Sequence, residues 1–239
     1  MQLERILQSQ GFGSRKECRG LVRHGLVSIG GEVCEDAFVE LEPEGLAFAV
    51  EGETWEYRAQ AYVMFNKPAG YEVSHKPKHH PSVFSLLPDP LRLRGIQAVG
   101  RLDEDTTGLL ILTDDGQLIH QLSSPKRKIP KIYEAVIKHA ADEQLVRTLL
   151  EGVVLHDDPE PIAAAACEIL DPQRLRLSIT SGRYHQVKRM IAAAGNRVES
   201  LRRVAVGGLA LPADLGEGEW RWINAEELAA LRAQPSDPV

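Results

Sequence analysis

The sequence predicts an α+β protein in two parts. A small α/β domain of two helices and a hairpin is expected over residues 1–58. A larger domain over 59–239 is expected to build on a mainly antiparallel mixed sheet with flanking helices. Three observations predict this. Strand-like and helical segments from Gly95 onward mix without a βαβ rhythm. Residues 1–33 read as two short helices and a glycine-turned hairpin. Of the 239 residues, 43% are hydrophobic and 26% charged, which suits a chain with a real core and excludes fibrous, collagen-like and disordered classes.

Each element has its own reason. Leu3, Ile6 and Leu7 share one stripe of a first helix, and Gly11-Phe12-Gly13 breaks the chain after it. Ser14-Arg15-Lys16-Glu17 has capping-box spacing, with the Ser14 hydroxyl accepting from the Glu17 amide and the Glu17 carboxylate accepting in return. The second helix then carries Arg15, Arg19 and Arg23 along one face. Gly25 stands where a left-handed residue ends a helix. Val27–Ile29, Gly30-Gly31 and Glu32-Val33 read as a hairpin. The polar stretch around Glu51–Gln60 is the expected junction. Ala61–Phe65 is strand-like and leads into the loop Asn66-Lys67-Pro68-Ala69-Gly70-Tyr71. Four prolines at 77, 81, 88 and 90 leave little regular structure expected over 74–90. His75, His79 and His80 lie there without a carboxylate or cysteine at ligand spacing, so no metal site is expected. Strands are expected over Ile96–Leu102, Gly108–Thr113, Ile132–Ile137 and Leu175–Ile179. Helices are expected over Leu118–Leu122, Asp142–Leu150 and Gln186–Ala194.

The net charge of −6 argues at first against a nucleic-acid partner. Its distribution argues otherwise. Residues 1–25 carry +3, and residues 26–57 carry nine acidic groups with no Lys or Arg. Residues 121–138 carry +4 and residues 183–203 carry +5. Cys18, Cys34 and Cys167 are scattered, which suits reduced thiols rather than a disulfide framework. The first residues lack the apolar core of a signal peptide, and no stretch approaches the ~20 apolar residues of a membrane span. A cytoplasmic protein without membrane contact is expected.

The densest chemistry is Gly100–Gly108, with Asp103, Glu104 and Asp105 ahead of a buried strand and Asp114 and Asp115 after it. The residues allow three readings. They form a polar turn whose side chains cap backbone groups, or a magnesium site for phosphoryl transfer, or a single aspartate acting as nucleophile or base beside cations.

Gly100-Arg101-Leu102-Asp103 followed by Thr106–Gly116 closely resembles the signature of RsuA-type pseudouridine synthases. Asn66–Gly70 resembles that family's first block and Lys131-Ile132-Tyr133-Glu134 its tyrosine block. Gly182–Met190 with Val206–Leu209 resembles its third. Residues 1–58 resemble the S4 RNA-binding domain that usually precedes them. The resemblance implies cofactor-free, metal-free isomerisation of a uridine in ribosomal RNA. It implies that Asp103 acts at C1′ or C2′, with Lys188 as the first choice for its cation and Arg183 and Arg189 as alternatives. Tyr133 would stack on the uracil near C5, and Arg101 would hold the RNA open around a flipped-out nucleotide. RNA contacts are expected from Arg15, Lys16, Arg19, Arg23, Lys67, Lys126, Arg127, Lys128, Lys131, Arg183, His185, Gln186 and Arg189. The His185–Met190 and Val206–Trp222 stretches, without a long basic tail, look more like the small-subunit members, whose target is uridine 516 of 16S rRNA. The implied partner is 16S rRNA in a small-subunit assembly intermediate, met by a monomer. A large-subunit rRNA target, a non-catalytic rRNA-binding assembly factor and a metal-dependent phosphoryl-transfer enzyme stand as alternatives.

Overall fold

The helix Leu3–Ser9 buries Leu3, Ile6 and Leu7 completely. In this computed structural model, which describes residues 1–156 and 158–233, they pack with Cys18, Val22, Val27, Phe48 and Val50 into one hydrophobic core. The second helix, Arg15–Arg23, has the expected capping box: the Glu17 amide donates to Ser14 Oγ at 3.4 Å and the Ser14 amide to Glu17 Oε2 at 2.7 Å. Gly30 and Gly31, at φ 60° and 86°, form the turn between Val27–Ile29 and Glu32–Val33. Both residues need positive φ in such a turn, and glycine supplies it without steric cost. Two strands not foreseen, Ala47–Val50 and Glu53–Glu56, complete an antiparallel four-stranded sheet.

The chain parts into two compact units, residues 1–61 with 84–97, and residues 62–83 with 98–239. The segment 84–97 therefore belongs with the N-terminal residues, although it follows them at a distance in sequence. Its short helix Asp89–Leu93 comes so close to Gly11 that a Cβ there would lie 1.9 Å from the Pro90 carbonyl oxygen. Arg94 ties the same segment to Gln10 and to the Arg58 carbonyl, both at 3.0 Å.

In the second unit the main sheet runs in the order Ala166–Asp171, Arg174–Ile179, Lys131–Ile137, Val198–Val206, Thr107–Thr113, Tyr62–Lys67, Trp220–Trp222. All neighbours in that order are antiparallel except one. Val198–Val206 meets Thr107–Thr113 in parallel, pairing Arg202 with Thr107 and Arg203 with Gly108. The expected α+β class with a mainly antiparallel mixed sheet is the observed one. The helix Gly116–Ser123 covers part of the sheet, its Leu118 and Leu122 packing with Met64, Leu109 and Ile111. Asp115 caps it, accepting from the amides of Gln117 and Leu118 and from the Tyr62 hydroxyl. Burial and that bond push the Tyr62 phenol up to about 12.

Two local expectations change. The strand expected over Ile96–Leu102 shortens to Gln97–Ala98. The proline-rich loop is better ordered than its composition suggests. The Glu72 carboxylate accepts from the backbone amides of Lys78, His79 and His80, and these bonds hold its pKa at about 2.

Candidate active site

Asp103 sits in the loop that enters the strand Thr107–Thr113. Two devices fix that loop. Lys67, the last residue of Tyr62–Lys67, is 0% exposed, and its ammonium donates to the carbonyls of Pro68, Glu104 and Thr106 at 3.0, 3.0 and 2.9 Å. The Gly70 amide also donates to the Glu104 carbonyl at 2.7 Å. At the end of the loop, Gly108 adopts φ 101°, and a Cβ on it would lie 2.2 Å from the Arg203 carbonyl oxygen. Glycine lets the two parallel strands close at that point.

The Asp103 carboxylate faces two groups from the Gly182–Met190 segment. Lys188 Nζ lies 3.1 Å from Oδ2, and His185 Nε2 lies 3.2 Å from Oδ1. Lys188 also donates to Asp105 Oδ1 at 2.6 Å. Burial opposes the charge on Lys188, but its bonds to Asp105 and Asp103 outweigh it and hold its pKa above the usual lysine value. Asp105 is likewise opposed by burial, and the Lys188 bond carries its pKa below the usual carboxylate value. His185 has left-handed backbone (φ 48°, ψ 33°) just ahead of the helix Gln186–Ala193. That conformation is strained for a residue with a Cβ, and such strain gathers at functional sites.

These contacts bear on the three readings of the loop. Asp103 and Asp105 converge on one ammonium, not on each other. Among the described residues no group of three or more His, Cys, Asp or Glu could hold a metal ion. Asp115, the last of the carboxylates around the loop, is used as a helix cap.

Tyr133 is 7% exposed on the strand Lys131–Ile137. It stands directly across from Arg203, which in turn stands across from Gly108. Tyr133 is thus two strand spacings, about 10 Å, from the mouth of the Asp103 loop. Arg101 is exposed on the loop itself.

The structure corrects part of the expected RNA-contact list. Lys67 is enclosed and spends all its donors on carbonyls. Gln186 is buried, accepting from Ser181 Oγ and the Arg183 amide at its oxygen and turning its nitrogen toward Met190 Sδ. Neither reaches solvent, so neither can meet a phosphate. Arg183 pairs with Asp158, and Arg19 pairs with Glu4 while lying over the Phe38 ring, so both guanidiniums are already engaged. Arg15, Lys16, Arg23, Lys126, Arg127 and Lys128 are exposed, while Lys131 and Arg189 are partly so. Burial and the nearby Arg203 lower the pKa of Lys131.

A family model described as RNA pseudouridylate synthase matches residues 61–193, and an S4 domain model matches residues 1–44. The chain belongs to the RNA pseudouridylate synthase family. It is 37% identical over 233 residues to the ribosomal small subunit pseudouridine synthase A of Yersinia pestis, covering 98% of this chain and 99% of that one. It is 36% identical over 231 residues to the protein of the same name from Escherichia coli K12, covering 97% of this chain and 100% of that one. A crystal structure of a pseudouridylate synthase superposes with a TM-score of 0.69 at 34% identity, covering 97% and 99% of the two chains.

Within this pseudouridylate synthase, two buried cations escaped the sequence reading as structural groups. One is Lys67. A signal was present, because Val63, Met64 and Phe65 leave no solvent face on the strand that Lys67 completes. The other is Arg203, 2% exposed, whose Nε donates to the Leu109 carbonyl at 2.8 Å. It stands at the point where its strand pairs in parallel with Gly108. Its alternation with Leu201 and Ala205 puts it on the buried face of the strand, a signal masked by the basic run around it.

Lys67 also predicts a pH effect. Burial lowers its pKa from 10.5 to about 8. Between those values the unfolded chain binds a proton that the folded chain does not, so stability rises with pH. Lys67→Met removes the proton site while roughly keeping the volume. In urea unfolding between pH 8 and 10.5, wild type should gain stability relative to Lys67→Met. A constant difference across that range would refute the assignment.

Proposed function

We propose that this protein isomerises one uridine to pseudouridine in small-subunit ribosomal RNA, at uridine 516 of 16S rRNA, with Asp103 as the reacting carboxylate. The observation that carries the proposal is the Asp103 carboxylate held between Lys188 and His185 on a loop fixed by Lys67. The relatives named above supply the substrate class.

The reaction needs few groups. The N1–C1′ bond must break, the uracil must turn, and C5 must bond to C1′ with loss of the C5 proton. Asp103 serves either by attacking C1′, giving a covalent sugar ester that C5 later displaces, or by removing the C2′ proton. Both routes need it ionised, and the Lys188 ammonium balances that charge in a partly dry site. Tyr133 supplies a buried ring against the uracil and a hydroxyl toward C5. Arg101, exposed on the same loop, holds the strand opened by extrusion of the target. The exposed cations of the second helix and of residues 126–128 bind phosphates. The protein works in the cytoplasm as a monomer on an assembling small-subunit particle. Among the described residues no helix is long and apolar enough to cross a membrane.

Mapping the product tests the target. After incubation with 16S and 23S transcripts, carbodiimide treatment and primer extension should give one new stop, at uridine 516. A stop only in 23S rRNA would transfer the substrate to the large subunit. The phosphate contacts have their own test. A triple alanine variant of Lys126, Arg127 and Lys128 should bind 16S rRNA more weakly, with a log K against log salt slope reduced by about 2 to 3. An unchanged slope would remove this segment from the RNA path.

A further inference from the structure

Tyr184 is a large aromatic side chain left 75% exposed beside the Asp103 site. Its ring stacks on that of His185, with centroids 3.8 Å apart and planes inclined by 18°. His185 in turn places Nε2 3.2 Å from Asp103 Oδ1. One face of the tyrosine is therefore backed by a ring anchored to the site, while most of its surface remains open to solvent.

The segment that carries this ring is fixed in advance. The buried Gln186 side chain accepts from the Arg183 amide at 2.9 Å and from Ser181 Oγ at 3.0 Å. The Tyr184 carbonyl accepts from Arg189 at 3.2 Å. A solvated aromatic on a fixed turn gains little for folding. It is ready to take a flat partner at small entropic cost. In an RNA enzyme that partner is a nucleobase, since every base offers a π-face and stacking needs no particular hydrogen-bond pattern.

We propose that Tyr184, backed by His185, is a stacking platform for the base that adjoins the target uridine in the RNA strand. The inference rests on the function proposed above. The neighbour is chosen over the target because of depth: Tyr133 is 7% exposed and Tyr184 is 75% exposed. A flipped base enters the recess, and the base next to it is left at the rim with one face unstacked. Tyr184 would cover that face, so it is a positioning residue that contributes to binding more than to the bond-changing step.

The test uses 16S rRNA fragments spanning the target, with 2-aminopurine in place of the base on its 5′ side or its 3′ side. Binding of wild type should quench one of the two probes. Tyr184→Ala should lose that quench and raise KM about 5- to 100-fold, the range for one lost stacking contact, with kcat within about twofold. Tyr184→Phe keeps the ring and should behave as wild type. Wild-type KM and quench in Tyr184→Ala would overturn the platform. So would a fall in kcat at constant KM, which would place Tyr184 behind His185 as a support for Asp103. A wild-type protein that quenches the probe but forms no pseudouridine would sink the proposed function while leaving the stacking itself measured.

Discussion

Asp103→Asn should bind 16S rRNA within about threefold of wild type and form no detectable pseudouridine, a loss of at least about 10⁴-fold in rate. The asparagine keeps the size of the side chain and can accept a hydrogen bond from Lys188. It cannot attack C1′ or take a proton from C2′, so either route ends. The substitution also leaves Asp105, at 2.6 Å, as the carboxylate that pairs with Lys188, so the lysine stays paired and the site should remain folded. Filter binding and single-turnover kinetics on the same RNA separate the two effects. A variant that fails to bind would show that Asp103 organises the loop rather than reacting. A variant that turns over would remove Asp103 from the chemistry.

Gly108→Ala should be the most damaging small substitution in the second unit. The added Cβ would meet the Arg203 carbonyl oxygen at 2.2 Å, and the residue would have to hold φ 101° with a side chain. The nearest atoms are backbone, so no rotamer change relieves the clash. The two parallel strands must part at the base of the Asp103 loop. A cost of at least about 3 kcal/mol is expected from backbone strain together with the lost strand contact. Urea unfolding should show a midpoint shift at unchanged slope, and activity should fall even where the protein remains folded. Gly182→Ala is the control. Gly182 lies near the site, but an added Cβ there meets nothing within 4 Å and its φ is not in the left-handed range. Equal stability of the Gly108 and Gly182 variants would mean that the close strand approach does not fix the loop.

Much of the fold was legible because its elements are local. The Ser14–Glu17 cap, the Gly30-Gly31 turn and the apolar run Leu109–Leu112 each follow from a few adjacent residues. The parallel meeting of Val198–Val206 with Thr107–Thr113 depends on residues nearly a hundred positions apart, and no local pattern announces it. The site divides the same way. Asp103 and Lys188 were legible through the blocks that carry them, and the structure brings them to 3.1 Å. Lys67 and Gln186 were misread because a charged or amide side chain in a block of an RNA enzyme suggests an RNA contact. Whether such a side chain turns inward is decided by the three carbonyls around Lys67 and the turn amide at Gln186. The net charge misleads for a related reason. A total of −6 sums an acidic stretch at 26–57 with the cations around Lys126–Lys131 and Arg183–Arg203, and only local charge meets a phosphate.

The proposed function makes Asp103 the carboxylate on which pseudouridine formation depends. Tritium release from 16S rRNA labelled at C5 of uridine reads it directly, because the C5 hydrogen is lost only when C5 bonds to the sugar. Wild type should release about one equivalent of tritium per RNA, and Asp103→Asn should release none. No release by wild type from 16S rRNA, free or in a small-subunit particle, or equal release by the variant, would overturn the proposed function.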